Sequence, residues 1–340
     1  MNTFRSILVL MLSLTAATSQ SCTWTETTTP PPAIWMSAAA SSLGDAVAFC
    51  GGTFIEPDGK YGSTRNQVAT YNPTTDHWVT FPNMTKRTAP AAGTFNNRLY
   101  VFAGSQHKPN ASKHDPNPTI NLALVESIGI HSDGSATETT WTQEINLPFG
   151  PRESPSAVSV PGFGIVIGGG FDSGMVHGEF VFAYYNDSYL FNGTAYQRLP
   201  DMPFKRSNMA YVATNSGRVY ALGGGATEPS YSTCAFLDIH GGAAAWSMCA
   251  DLVDARSWAA AGVVGDEIVL AGGMDNEFAP TAEVDFLNVK NTSALWTNNN
   301  GDCDLPTKAA FISGGVTANG VFVVDAGYAP KNVAWLFAMH

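Results

Sequence analysis

The stretch Lys205 to Gly225, KRSNMAYVATNSGRVYALGGG, decides the fold. It opens with a basic pair and continues into a mostly apolar run from Met209 to Thr214. Asn215-Ser216-Gly217 then offers a turn, and Arg218 to Leu222 is a second run of strong strand formers that ends in a glycine cluster. Two short β-prone runs joined by an Asn/Ser/Gly turn predict a hairpin. The glycines that end it supply positive φ, or let a second backbone pass where a side chain would block it.

The unit recurs along the chain. Beside RVYALGGG (Arg218 to Gly225), its second strands and glycine ends are DAVAFCGG (Asp45 to Gly52), RLYVFAG (Arg98 to Gly104), FGIVIGGG (Phe163 to Gly170), EIVLAGG (Glu267 to Gly273) and GVFVVDAG (Gly320 to Gly327). The final glycines of the six units fall 48 to 66 residues apart. A period near 50 residues is that of propeller blades, each a small sheet that must stack on its neighbours. Aromatic residues follow the hairpins in register: Tyr71 and Trp78, Trp141, Tyr189 and Tyr196, Phe236 and Trp246, Phe286 and Trp296. Six glycine clusters in register with these aromatics resemble the kelch-repeat β-propellers, and the resemblance covers essentially the whole mature chain. Ala103-Gly104 and Ala326-Gly327 depart from its diglycine.

The resemblance implies an all-β, six-bladed kelch-type β-propeller of four-stranded antiparallel blades. The sixth unit runs out at His340 after three strands, the last from Asn332 to Met339. TWTE at Thr23 to Glu26 is similar to the fourth-strand segment TWTQE at Thr140 to Glu144. The N-terminal strand, Cys22 to Glu26, is therefore expected to close the last blade and leave no open edge between first and last blades.

Composition agrees. With 44% hydrophobic and 13% charged residues the chain folds, its 33 glycines and 20 prolines fit many tight turns, and no long amphipathic helical period occurs. Residues 1–19 read as a signal peptide: Arg5, an apolar run from Ile7 to Leu14, and small residues Ala17 and Ser19 before cleavage. That run is too short for a membrane span, and nothing later is long and apolar enough. The expectation is a secreted, extracellular protein with one domain over residues 20–340. A formal net charge of −11 makes nucleic acid and anionic membranes poor partners. Sequons at Asn83, Asn110, Asn186, Asn192 and Asn291 are candidate glycosylation sites.

Five cysteines in an exported chain predict at least one disulfide and leave one thiol odd. Cys234 opens the third strand of blade four and Cys249 closes its fourth, so an antiparallel hairpin sets them opposite one another and predicts their bond. Strand directions place Cys50 and Cys303 near one face and Cys22 at the opposite face. The pairing of these three stays open.

The chain has no HExxH, GxSxG, P-loop or CxxC, which removes the commoner hydrolase, nucleotide and zinc readings. His107, His114 and Asp115 share one long loop but lack a third imidazole at defined spacing, so no metal and no cofactor is expected. The Tyr and His ligands and Tyr–Cys crosslink of the kelch copper oxidases find no counterpart.

The informative pattern is basic. A cation precedes the first strand of blades two to six: Arg87, Arg152, Arg206, Arg256 and Lys308. These connections into the innermost strands should ring the mouth of the central channel. The long loops from Thr53 to Arg65, Ser105 to Thr119 and Phe171 to Asp187 emerge on the same face, and long loops on a rigid scaffold commonly carry function. Each cation reads either as a tether bound within the blades or as a ligand contact. The leading expectation is a non-catalytic binding module for an extracellular protein or an acidic glycan, met at this face through the five cations. The alternative is a carbohydrate-active enzyme resembling the six-bladed sialic-acid mutarotases and epimerases, with Glu153, Glu179 and Asp254 as the nearby acid/base candidates.

Overall fold

Short runs of strand formers cut by glycine turns close into small antiparallel sheets, and a computed structural model shows six of them arranged as a propeller. It describes residues 21–339 except 33–35, 56–60, 109–118, 178, 243–244, 292, 326 and 328–332. Blade one is Ala39–Leu43, Ala46–Cys50, Val68–Asn72 and His77–Thr80. Blades two and three start at Ala91–Phe95 and Ser156–Val160, blades four and five at Ala210–Ala213 and Ala260–Val264, and blade six at Ser313–Val316. The fourth strand of blade five is reduced to a bridge between Phe286 and Thr297. Lys205 to Gly225 is the expected hairpin, with Ala210–Ala213 paired to Arg218–Leu222. Among the described residues there is no α-helix, only a 3-10 turn at Asn299–Gly301, and no helix is long and apolar enough to cross a membrane.

Ring closure is as the sequence predicts. Cys22–Glu26 pairs antiparallel with Ala334–Met339, setting Trp24 against Phe337 with ring centroids 4.7 Å apart. In five of the six blades a fourth-strand aromatic is hydrogen-bonded to the chain that leads in from the blade before. Trp24 Nε1 donates to the Cys303 carbonyl (2.8 Å), Trp141 to Pro82 (2.7 Å), Trp246 to Pro200 (3.0 Å) and Trp78 to Thr29 (3.1 Å), while the Tyr196 hydroxyl reaches the Ile145 carbonyl at 3.3 Å. Each ring thus buries its apolar body between blades and satisfies its polar atom on the connecting chain. Trp296 in blade five has a buried Nε1 without a partner.

The glycine clusters are where neighbouring blades touch. In blade four the Gly224 N–H donates to the Arg256 carbonyl of blade five at 2.8 Å, and the pattern repeats from Gly52 to Arg87, Gly104 to Arg152 and Gly170 to Arg206. A Cβ built on Gly223, at φ +59°, would stand 2.2 Å from that Arg256 carbonyl oxygen. No other residue admits so close a backbone.

The predicted bond between Cys234 and Cys249 is present, with a Cα separation of 5.2 Å. A second disulfide joins Cys22 to Cys303, Cα atoms 5.7 Å apart, and Cys50 is left as a buried free thiol that burial pushes up to about 12, well out of the reactive range. The expectation that Cys22 stands at the face opposite Cys303 is corrected here. Twist of about 20–25° per strand accumulates across a blade, so the outermost strand runs obliquely and its start swings sideways onto blade five.

Residues 1–20, where the leader sequence is expected, and the sequon at Asn110 lie outside the described residues. Asn83, Asn192 and Asn291 are exposed, whereas Asn186 is half-buried and its Nδ2 donates to the Met202 carbonyl at 3.0 Å.

Candidate functional site

The chain enters the innermost strands of blades two to six through the residues that follow the cation, and that of blade one through Met36 to Ala38, and these entries line one mouth of the channel. Ser37, Ala89, Ser154, Asn208, Trp258 and Phe311 all stand there at positive φ, between 46° and 57°. Such a backbone is uncommon for any side chain and an outlier for rings as bulky as Trp258 and Phe311, so it persists only where its surroundings hold it. They do so through a circle of hydrogen bonds between blades. The amides of Ala89, Ser154, Asn208 and Trp258 each donate to the carbonyl of the preceding blade's mouth residue, starting from Ser37. Ile312 N donates to Trp258 O at 3.2 Å, and Ser37 N closes the circle on Phe311 O at 3.2 Å. The Trp258 and Phe311 rings meet at 4.8 Å. The hydroxyl of Ser154 and Oδ1 of Asn208 are buried without partners in the small cavity of about 130 Å³ at this mouth.

The five predicted cations are placed around this mouth, but four of them point back into the fold. Arg87 is fully buried, its Nη1 donating to the Ala103 (3.2 Å) and Leu124 (3.1 Å) carbonyls and its Nη2 paired with Glu126. Arg152 donates to the Gly169 carbonyl (3.0 Å) and is forked onto Asp187, with Phe149 and Tyr185 covering its two faces. Arg256 meets the Glu283 carbonyl at 2.8 Å, the Glu283 carboxylate at 2.8 Å and Asp285 at 3.1 Å. Arg206 donates to the Gly223 carbonyl at 3.2 Å and to the Thr233 hydroxyl, and is stacked between Phe204 and Tyr231. Lys308 is exposed. Geometry thus gives each arginine a tethering role within its own blade, joining the chain before the first strand to the second and third. Burial pulls the Arg87 guanidinium down from its usual range, against the pull of Glu126, and pulls Arg206 down to about 10.

Three hairpins rise from the face around the mouth, between second and third strands of blades one to three: Thr53–Ile55 with Tyr61–Thr64, Ser105–His107 with Thr119–Asn121, and Phe171–Val176 with Glu179–Tyr184. The last is the largest, and period-two alternation puts Phe171, Phe182 and Tyr184 on one of its faces, with ring centroids 5.6 to 6.3 Å apart. Phe182 is 54% exposed and Met175 41%. Asn121 Nδ2 braces this hairpin through Asp172 at 2.8 Å.

Of the acid/base candidates, Glu179 and Asp254 are exposed. Glu153 sits beside Arg152 at the mouth, its backbone bridged to Phe171, and burial raises its carboxyl above the usual range, partly offset by the neighbouring Ser105 hydroxyl. His107 is exposed, His114 and Asp115 lie outside the described residues, and among the described residues no group of three or more His, Cys, Asp or Glu is arranged to hold a metal. The mouth residues and the aromatic hairpin face were missed from sequence. The six mouth residues share no side-chain type; five of them stand two or three positions after a cation, and Ser37 of blade one has none at that spacing.

No protein-family model matches the chain, and no curated protein matches it. Solved structures do match. One titled "Structure of YjhT" superposes with a TM-score of 0.69 at 12% sequence identity, covering 92% of this chain and 99% of that one. At that identity the likeness speaks for the propeller fold alone.

Proposed function

We propose that this chain is an exported binding module of the kelch-repeat type that recognises an acidic glycan or an extracellular protein through the hairpin-bearing face. The observation that carries the reading is the aromatic face of the blade-three hairpin, where the exposed Phe182 and Met175 flank the half-buried Phe171 and Tyr184 next to a polar channel mouth. Aromatic residues clustered on a rigid support are the usual anchors of recognition surfaces, and folded monomers seldom leave such clusters to water. A screen of the deglycosylated mature protein against glycans and small acids, followed by NMR, tests it. Binding without chemical change is expected, and failure to retain any glycan, acid or extracellular protein rejects it.

One observation favours the enzymatic alternative, a carbohydrate-active enzyme similar to the sialic-acid mutarotases. The Glu153 carboxyl stands half-buried at the mouth and is raised above its ordinary range by desolvation, the environment that suits a carboxyl to proton transfer. Interconversion of sugar anomers in the same NMR experiment, lost in Glu153→Gln, would select this reading.

A further inference from the structure

The arginines of blades two to five occupy one repeated position but do not share one electrostatic environment. Within each blade the end of the second strand donates its amide to a residue just before the third: Ala103 to Leu124, Gly169 to Asp187, Gly223 to Thr233 and Gly272 to Glu283. At this equivalent place blades three and five carry a carboxylate that pairs with the arginine, and blade two supplies Glu126 two residues on. Blade four carries Thr233. Arg206 consequently has no carboxylate within pairing distance among the described residues, Asp251 acting on it only through its longer-range field, and its side-chain hydrogen bonds all come from Nη1, to Gly223 and Thr233. Phe204 and Tyr231, 4.3 and 3.7 Å from the guanidinium carbon, cover its two faces. The edge carrying Nε and Nη2, the fork that matches a planar carboxylate, makes no hydrogen bond within the fold, on a residue that is 6% exposed.

A path of rings leads away from this edge. The Arg206 amide donates to the Tyr185 carbonyl at 3.0 Å, which seats the arginine at the foot of the blade-three hairpin, and the neighbouring Tyr184 stacks with the exposed Phe182 at 6.3 Å. On the loop-face reading above, we infer that Arg206 is the carboxylate subsite for an acidic sugar whose ring packs on the Tyr184 and Phe182 side of the blade-three hairpin. A single guanidinium fork, with one positive charge, suits a monoanion, and aromatic faces suit the C–H faces of a pyranose. The strongly negative remainder of the molecule disfavours polyanions. The subsite sits off the channel axis, between blades three and four, while Arg87, Arg152 and Arg256 have their charge consumed internally.

Calorimetric titration of the full mature chain with glucuronate, and with glucose as its neutral counterpart, tests this. Wild type should bind glucuronate at least about tenfold more tightly than glucose, the factor expected for a charge-assisted pair. Thr233→Asp, which gives blade four the carboxylate of blade three, should lose at least about tenfold in glucuronate affinity while its melting temperature holds or rises. Arg206→Gln should lose as much, and Phe182→Ala, on an exposed position, should weaken binding about threefold without touching stability. Wild-type affinity in Thr233→Asp or Arg206→Gln overturns the assignment to Arg206. A wild-type protein that binds other ligands in the broader screen but neither prefers nor binds glucuronate overturns the acidic-sugar class and leaves the loop-face reading standing.

Discussion

Blades four and five solve the same structural problem with opposite amounts of charge. In blade five Arg256 faces two carboxylates, Glu283 and the fully buried Asp285, and desolvation pushes Asp285 up to about 6 against the pull of the arginine. In blade four Arg206 pairs with none among the described residues, Asp251 acting on it only through its longer-range field. Both guanidiniums hold the chain before the first strand to the junction of the second and third strands through carbonyl hydrogen bonds, so the carboxylate is not needed for the tether. It is needed to neutralise a charge that the tether has taken out of water. A blade that omits it leaves a cation whose field is available to something outside the fold.

The largest expected effect is in blade five. Arg256→Ala strands Asp285 without its counter-charge and should cost about 3–5 kcal/mol by chemical denaturation. Equal losses in Arg256→Ala and Arg206→Ala would erase the contrast between the blades. Next comes pH. Because the folded pKa of Asp285 is raised above its unfolded value, its contribution is fully present below about pH 4 and is lost as pH rises through about 6. Between those limits wild type should lose about 1–3 kcal/mol that Asp285→Asn does not lose, read as the difference between two stability–pH curves. Installing the missing carboxylate, Thr233→Asp, should stabilise the protein by about 1 kcal/mol at neutral pH, since the buried cation already exists and only its partner is added. A destabilised variant would mean that Arg206 is compensated by water. Smallest of all, Arg206→Gln should fall within about 1 kcal/mol of wild type, because losing two hydrogen bonds is offset by relief of an unpaired buried charge.

The blade count, the ring closure by Cys22–Glu26 and the place of the cations were legible because glycine, aromatic and basic residues each recur at a fixed point of the repeat. What those cations touch was not. Glu126, Asp187, Glu283 and Asp285 come from slightly different positions around the third strand, so no single column of the repeat announces them. The bond between Cys22 and Cys303 was hidden for another reason: strand direction tells which end of a blade a residue occupies, but accumulated twist decides which neighbour that end meets. Exposure was equally unreadable for the hairpin of blade three, where Phe171 to Tyr184 alternates like any half-buried strand pair yet leaves Met175 and Phe182 exposed.

The circle of amide-to-carbonyl bonds from Ser37 round to Phe311 has a bearing on selectivity. Many binding sites on irregular chain recruit bare peptide groups, which grip almost any polar ligand alike. At this mouth the inter-blade bonds have already claimed an amide from every blade and a carbonyl from every blade. A visiting molecule therefore negotiates chiefly with side chains: the rings of Trp258 and Phe311, the unpartnered oxygens of Ser154 and Asn208, the carboxyl of Glu153. Since the backbone of that rim is held by its own neighbours, those side chains can be exchanged one at a time, and the identity of the guest can change with the rim while the wheel beneath it stays the same.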